Sequence, residues 1–173
     1  DFTYQNNTLA FSNMRGRLHG GSFSGEGALR LDEKTYRLNT AFEELKLRRV
    51  IHHVTPRIQS DGRLSGNLRL LGVTEDTATL QGEGWLQIDQ GNLFQIPILG
   101  KLTPVLRPII ATFYPELNET IAFREATAQI FIREGRIGTE NLILRGDRAA
   151  LYGQGSVGFD QSVDFHLWVR FTD

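Results

Sequence analysis

The residue types that could carry chemistry are few and poorly placed for it. The chain has four histidines. The one adjacent pair, His52-His53, projects in two directions on either a helix or a strand, so the two rings do not converge on one metal. His19 and His166 have no acidic residue at ligand spacing. The carboxylate pairs Glu43-Glu44, Glu75-Asp76 and Glu116/Glu119 fall in expected loops or helix ends, where they read as solvated or capping groups. No cysteine is present, which excludes disulfides, thiolate metal sites and cysteine nucleophiles. No serine stands in a nucleophile elbow. Gly153-Gln154-Gly155-Ser156-Val157-Gly158 has the spacing of a dinucleotide-binding loop. That chemistry needs a helix immediately after the glycines, and here period-two alternation continues through the motif to Phe171. The tripeptides Asn6-Asn7-Thr8 and Asn118-Glu119-Thr120 fit a glycosylation pattern that arises often by chance. The residues therefore ask for no catalytic group, no cofactor and no metal.

What the chain does contain is a repeated architectural pattern. Gly25-Glu26-Gly27-Ala28-Leu29-Arg30-Leu31-Asp32 recurs as Gly82-Glu83-Gly84-Trp85-Leu86-Gln87-Ile88-Asp89 and as Gly153-Gln154-Gly155-Ser156-Val157-Gly158-Phe159-Asp160. The period is two, so each copy reads as a β-strand with Gly, Gly, apolar, apolar on one face. The closing Asp suits a turn, because its side chain can bond the backbone two residues on. A second strand is expected after each copy, at Thr35–Phe42, 92–96 and Val163–Phe171. Gly25, Gly27, Gly82, Gly84, Gly153 and Gly155 are structural glycines on this reading. They let the sheet bend tightly or a neighbour pack close, or leave a bare floor beneath a ligand such as an acyl chain.

A second element, Gly16-Arg17-Leu18, recurs as Gly62-Arg63-Leu64 and Gly135-Arg136-Ile137, each expected to open a strand. The second interval exceeds the first by about the length of segment 97–120, as an inserted helical piece would produce. An edge strand is expected at Thr8–Met14 and a short helix at Glu43–Val54, ended by Pro56. A strand is expected at Leu64–Leu71, a polar loop at Gly72–Thr79 and a turn at Gln90-Gly91. Over Pro97–Phe113, Leu99, Leu102, Leu106, Ile109 and Phe113 make one apolar stripe at helical spacing. Pro104 and Pro108 kink or split that helix. Ile121–Arg133, Glu140–Arg145, Ala149–Phe159 and Val163–Phe171 read as a closing meander. The expected fold is mainly β: a curved antiparallel sheet of repeated hairpin modules with one or two short amphipathic helices, in a single domain over 1–173 with a helical insertion at about 97–115.

At 173 residues and 40% hydrophobic content the chain can bury a core. A net charge of −1 argues against a nucleic-acid partner bound through its phosphates. No apolar run approaches a membrane span. The chain opens at Asp1, and is read as a processed product or an excised piece of a longer protein.

Three stretches carry a family resemblance. They are Asp61-Gly62-Arg63-Leu64-Ser65-Gly66-Asn67-Leu68-Arg69-Leu70-Leu71-Gly72; Gly82 to Ile98, closing on Gly91-Asn92-Leu93-Phe94-Gln95-Ile96-Pro97-Ile98-Leu99; and Ala122 to Phe171, with Glu134-Gly135-Arg136-Ile137, Leu142-Ile143-Leu144-Arg145-Gly146 and Gly153-Gln154-Gly155. Over about 45–171 the chain resembles the C-terminal region of AsmA-like proteins of the Gram-negative envelope. The resemblance implies a non-enzymatic periplasmic module whose parent is anchored in the inner membrane through parts outside this chain. It implies a role in phospholipid transport between membranes and in outer-membrane assembly or homeostasis, with phospholipid acyl chains and other envelope proteins as partners. The apolar candidates for an acyl-chain groove are Leu86, Ile88, Val157, Phe159, Phe165, Leu167, Val169 and Phe171, which could equally be ordinary core. The competing reading is a structural or protein-interaction domain that binds through a sheet edge or helix face.

Overall fold

Among the described residues ten strands, each hydrogen-bonded to the next in sequence, form one antiparallel meander in the order β1 to β10. The computed structural model describes residues 1–52, 62–92, 122–147 and 149–171. The strands are β1 (Phe2–Gln5), β2 (Thr8–Leu18), β3 (Gly21–Arg30), β4 (Thr35–Lys46), β5 (Arg63–Val73), β6 (Asp76–Asn92), β7 (Ala122–Arg133), β8 (Arg136–Arg145), β9 (Ala149–Gly158) and β10 (Val163–Phe171), with one helix, α1 (Leu47–His52), after β4. The result is an open, curved sheet, as the alternation predicts. The expected helix at 97–113, the insertion at 97–115, the strand residues 93–96 and the ends of the 43–54 helix and 121–133 strand at 53–54 and 121 lie outside the described residues. So do Pro56, Glu116, Asn118 and Glu119.

Tight turns set the register. Asn6 and Asn7 both have positive φ (49° and 57°), as do His19 and Gly20 (51° and 88°) and Glu134 and Gly135 (52° and 67°). Two consecutive positive-φ residues make the hairpin turn whose twist matches that of the flanking strands. At the β9–β10 turn the Asp160 carboxylate accepts hydrogen bonds from the Ser162 hydroxyl at 2.7 Å and the Ser162 amide at 2.9 Å. These bonds, the hydroxyl's foremost, hold its pKa below the ordinary aspartate value. A depressed carboxylate pKa stabilises the folded turn above the ordinary value, and that contribution is lost as pH falls through the lower folded one. Protection of the Ser162 amide, its exchange relative to an unstructured peptide at the same pH, should therefore be lost only below about pH 4, the ordinary aspartate value. In Asp160→Ala, which has no acceptor there, it should be lost already at neutral pH.

Bulges keep the apolar residues on one side. The ladder shifts register between Phe11 and Met14, Phe42 and Leu45, and Thr139 and Leu142. At each, apolar-face positions stand three apart, where regular alternation would send the second to the other face. Asn13 and Glu44, both at positive φ, are the extra residues in β2 and β4. Side chains replace the interrupted ladder bonds: the Glu44 amide donates to Ser65 Oγ at 3.0 Å, and the Gln129 amide to Asn141 Oδ1 at 2.7 Å.

Several local expectations are corrected. Thr8–Met14 is not at the edge, because β1 pairs outside it. Gly16-Arg17-Leu18 closes β2 and does not open a strand, since the reversal comes at His19-Gly20. Glu43–Lys46 continue β4, the Glu44 bulge returning Leu45 to the face of Phe42, so the helix starts only at Leu47. The 72–79 loop shrinks to a turn at Thr74-Glu75. The first and third glycine octets end in turns, but Asp89 and Gln90-Gly91 stay within the 17-residue β6. There β5 pairs with Asp89 on one side while β7 pairs with Asp89 and Gly91 on the other.

A candidate apolar binding face

The register builds one face of the sheet row by row. Phe2 lies opposite Phe11, which lies opposite Gly27, then Leu38, Leu70, Gly82, Ile132, Ile137, Val157 and Val163. One row of apolar side chains and glycines thus crosses the sheet from edge to edge. The glycine positions in it are not empty. A Cβ on Gly27 would stand 2.7 Å from the Phe11 ring, and one on Gly82 would stand 2.7 Å from a Leu70 methyl. Likewise Leu167 lies across Gly153 and Phe23 across Gly16. The bare backbone is covered by neighbouring side chains, which joins adjacent strands through apolar contact.

The face is deepest over β6 to β10. Phe123, Ala126, Leu142 and Leu144 form a buried cluster, against which Ile88, Ala128, Leu151, Phe165 and Leu167 pack. Truncating Leu144, 4% exposed, to alanine should cost about 3 kcal/mol in urea unfolding, within the usual range for a buried leucine. Among the described residues no second layer of strands or helix lies on this face; α1 packs chiefly against β4, from which it continues.

The structure brings some of the sequence-derived candidates together and separates others. Ile88, Phe165 and Leu167 meet around the buried cluster. Leu86 sits on the same face, between Gly66 and Ala128. Val157 is buried in the edge-to-edge row. Val169 and Phe171 lie opposite Leu151 and Ala149 on the last strand and are exposed. Phe159 belongs to the turn after β9, where its amide bonds the Gly135 carbonyl at 2.7 Å, and its side chain is exposed. The groove candidates leave out Phe123, Ala126, Leu142 and Leu144, together with Leu38, Leu68 and Leu70. The alternation places Leu38 and Ala126 on the inward side of their strands, and Leu68 and Leu70 follow from extending it to β5.

No protein-family model, curated protein or solved structure matches the chain. The opposite face gathers the charges. Arg69 bonds Glu83 at 3.2 Å and Arg145 bonds Glu125 at 2.6 Å, in both cases across adjacent strands. These pairs are exposed and contribute little to stability. Gly153 to Gly158 run inside β9 and lead through a turn into β10, so no helix N-terminus is offered to a pyrophosphate. Among the described residues no cluster of three metal-ligating side chains occurs, and no helix is long and apolar enough to cross a membrane.

Proposed function

We infer that this chain is a non-enzymatic periplasmic module of an AsmA-like envelope protein, and that its apolar face carries phospholipid acyl chains between membranes in support of outer-membrane assembly or homeostasis. One observation carries the reading: the row from Phe2 to Val163 crosses all ten strands without a charged residue. An acyl chain gains about 0.8 kcal/mol for each methylene withdrawn from water. It can move along such a face only where no polar interruption forces it back into solvent. The described parts of the glycine-and-apolar stretches that resemble the family contribute residues to this same face.

The test is native mass spectrometry of the chain purified from the periplasm of a Gram-negative host. Co-purified phospholipid supports the groove; protein free of lipid after gentle purification contradicts it. A second reading is favoured by the edges. Phe2 is 69% and Val163 41% exposed on the two strands that are outermost among the described residues. A strand at the edge of a sheet, flanked by apolar side chains, can take up a strand of another envelope protein. In that case cross-links from β1 or β10 would retrieve protein and not lipid.

A further inference from the structure

The polar face carries a groove of its own. Two ladders of side chains run across the strands and leave a trough of about 900 Å³ between them. One wall includes Ser24, Asn67, Trp85 and Gln129; the other includes Glu26, Asn39, Arg69, Glu83 and Phe131. The floor is the backbone of Gly25, Thr40, Leu68, Gly84 and Ile130, one register row. The trough reaches from β2 to β8, which at about 4.8 Å per strand spacing is about 30 Å of length.

Its chemistry restricts the ligand. Arg15, Arg69 and Arg133 are balanced by Glu26, Glu83 and Glu140, so the walls favour neither a polyanion nor a polycation. The amides and ion pairs are already oriented: Asn39 donates to Glu26 at 3.1 Å, Arg69 to Glu83 at 3.2 Å, and Asn67 Oδ1 accepts from the Trp85 amide. Such a wall offers donors and acceptors alternately, which suits hydroxyl groups that both donate and accept. Trp85, 41% exposed, presents a flat apolar ring beside them. Arg133 stacks on Phe131 at 4.2 Å, which fixes its guanidinium at the rim. A peptide would find no main-chain partner here, because the floor strands are paired on both sides.

We propose that this trough binds a linear, uncharged oligosaccharide, with Trp85 as the stacking platform and Asn39, Asn67, Arg69 and Gln129 as the hydroxyl partners. The site lies on the face opposite the apolar row and does not depend on the lipid reading. The chain has two tryptophans, so Trp168→Phe leaves Trp85 as the only indole emitter. Titrating that variant with cellohexaose, maltohexaose and chitohexaose should shift Trp85 emission for at least one of them, and the affinity should change less than threefold between 50 and 500 mM salt. Asn67→Ala and Gln129→Ala should each weaken binding at least fivefold, and in a calorimetric titration Trp85→Ala should weaken it at least tenfold with unchanged circular dichroism. No shift with any of the three hexasaccharides at millimolar concentration would overturn the proposal. So would binding that survives Trp85→Ala, a tenfold or greater loss in salt, or a response to a neutral decapeptide in place of the sugars.

Discussion

Replacing Gly84 with valine is expected to destabilise the sheet by about 3 kcal/mol, at the upper end of what overpacking costs. Gly84 lies mid-way along β6, paired with Leu68 on one side and Ile130 on the other. A Cβ there would stand 2.1 Å from the Asn67 carbonyl oxygen, a backbone atom held by the ladder. Relief requires β5 and β6 to part, and the row on both sides of them moves too. Gly72→Ala is the contrast: its Cβ would meet the Tyr36 hydroxyl at 2.9 Å, the tip of a side chain that can swing away. That substitution should cost less than about 1 kcal/mol, as overpacking against a mobile group does. Urea unfolding of the two variants separates a steric requirement at Gly84 from a general intolerance of substitution at strand glycines.

The double substitution Leu68→Asp, Leu86→Asp is expected to abolish lipid uptake while the sheet persists. Both leucines are half-buried on the apolar face, on adjacent strands at its centre. Two carboxylates there force any acyl chain crossing the face to keep them hydrated. Losing contact with even two methylenes costs about 1.6 kcal/mol, more than the 1.4 kcal/mol that corresponds to a tenfold change in affinity. Bound phospholipid should fall at least tenfold. The matched control Asn67→Asp, Gln87→Asp places the same charges on the polar face and should leave lipid content unchanged.

Much of this fold was legible because alternation is a direct record of which side chains must face inward. Val163 to Phe171 alternates without a break and forms β10 as expected. What escaped was the location of reversals. Asn6-Asn7 fits a glycosylation pattern, yet its physical content is two residues that tolerate positive φ, and the first hairpin turns there. Asp89-Gln90-Gly91 has the composition of a turn and is a strand, because pairing of Asp89 with both neighbours and of Gly91 with β7 outweighs local preference. Bulges hid the continuity of the face in the same way: Phe42 and Leu45 stand three apart, a spacing that suggests a helix until Glu44 is seen to absorb the extra residue. The polar trough was not legible at all. Its walls come from seven strands whose order and register only the coordinates supply, and Trp85 alone in its octet gave no hint of Asn67 or Gln129 beside it.

The claim on which the functional account stands is that the row through Leu38, Leu70 and Ile132 is a surface for acyl chains. A photo-activatable amino acid placed at Leu70 in the periplasm of living cells tests it most directly, with Arg69 on the reverse face as the paired position. Illumination should attach phospholipid at Leu70 and leave Arg69 without it. Equal labelling of the two positions, or attachment of protein alone at Leu70, would contradict the account.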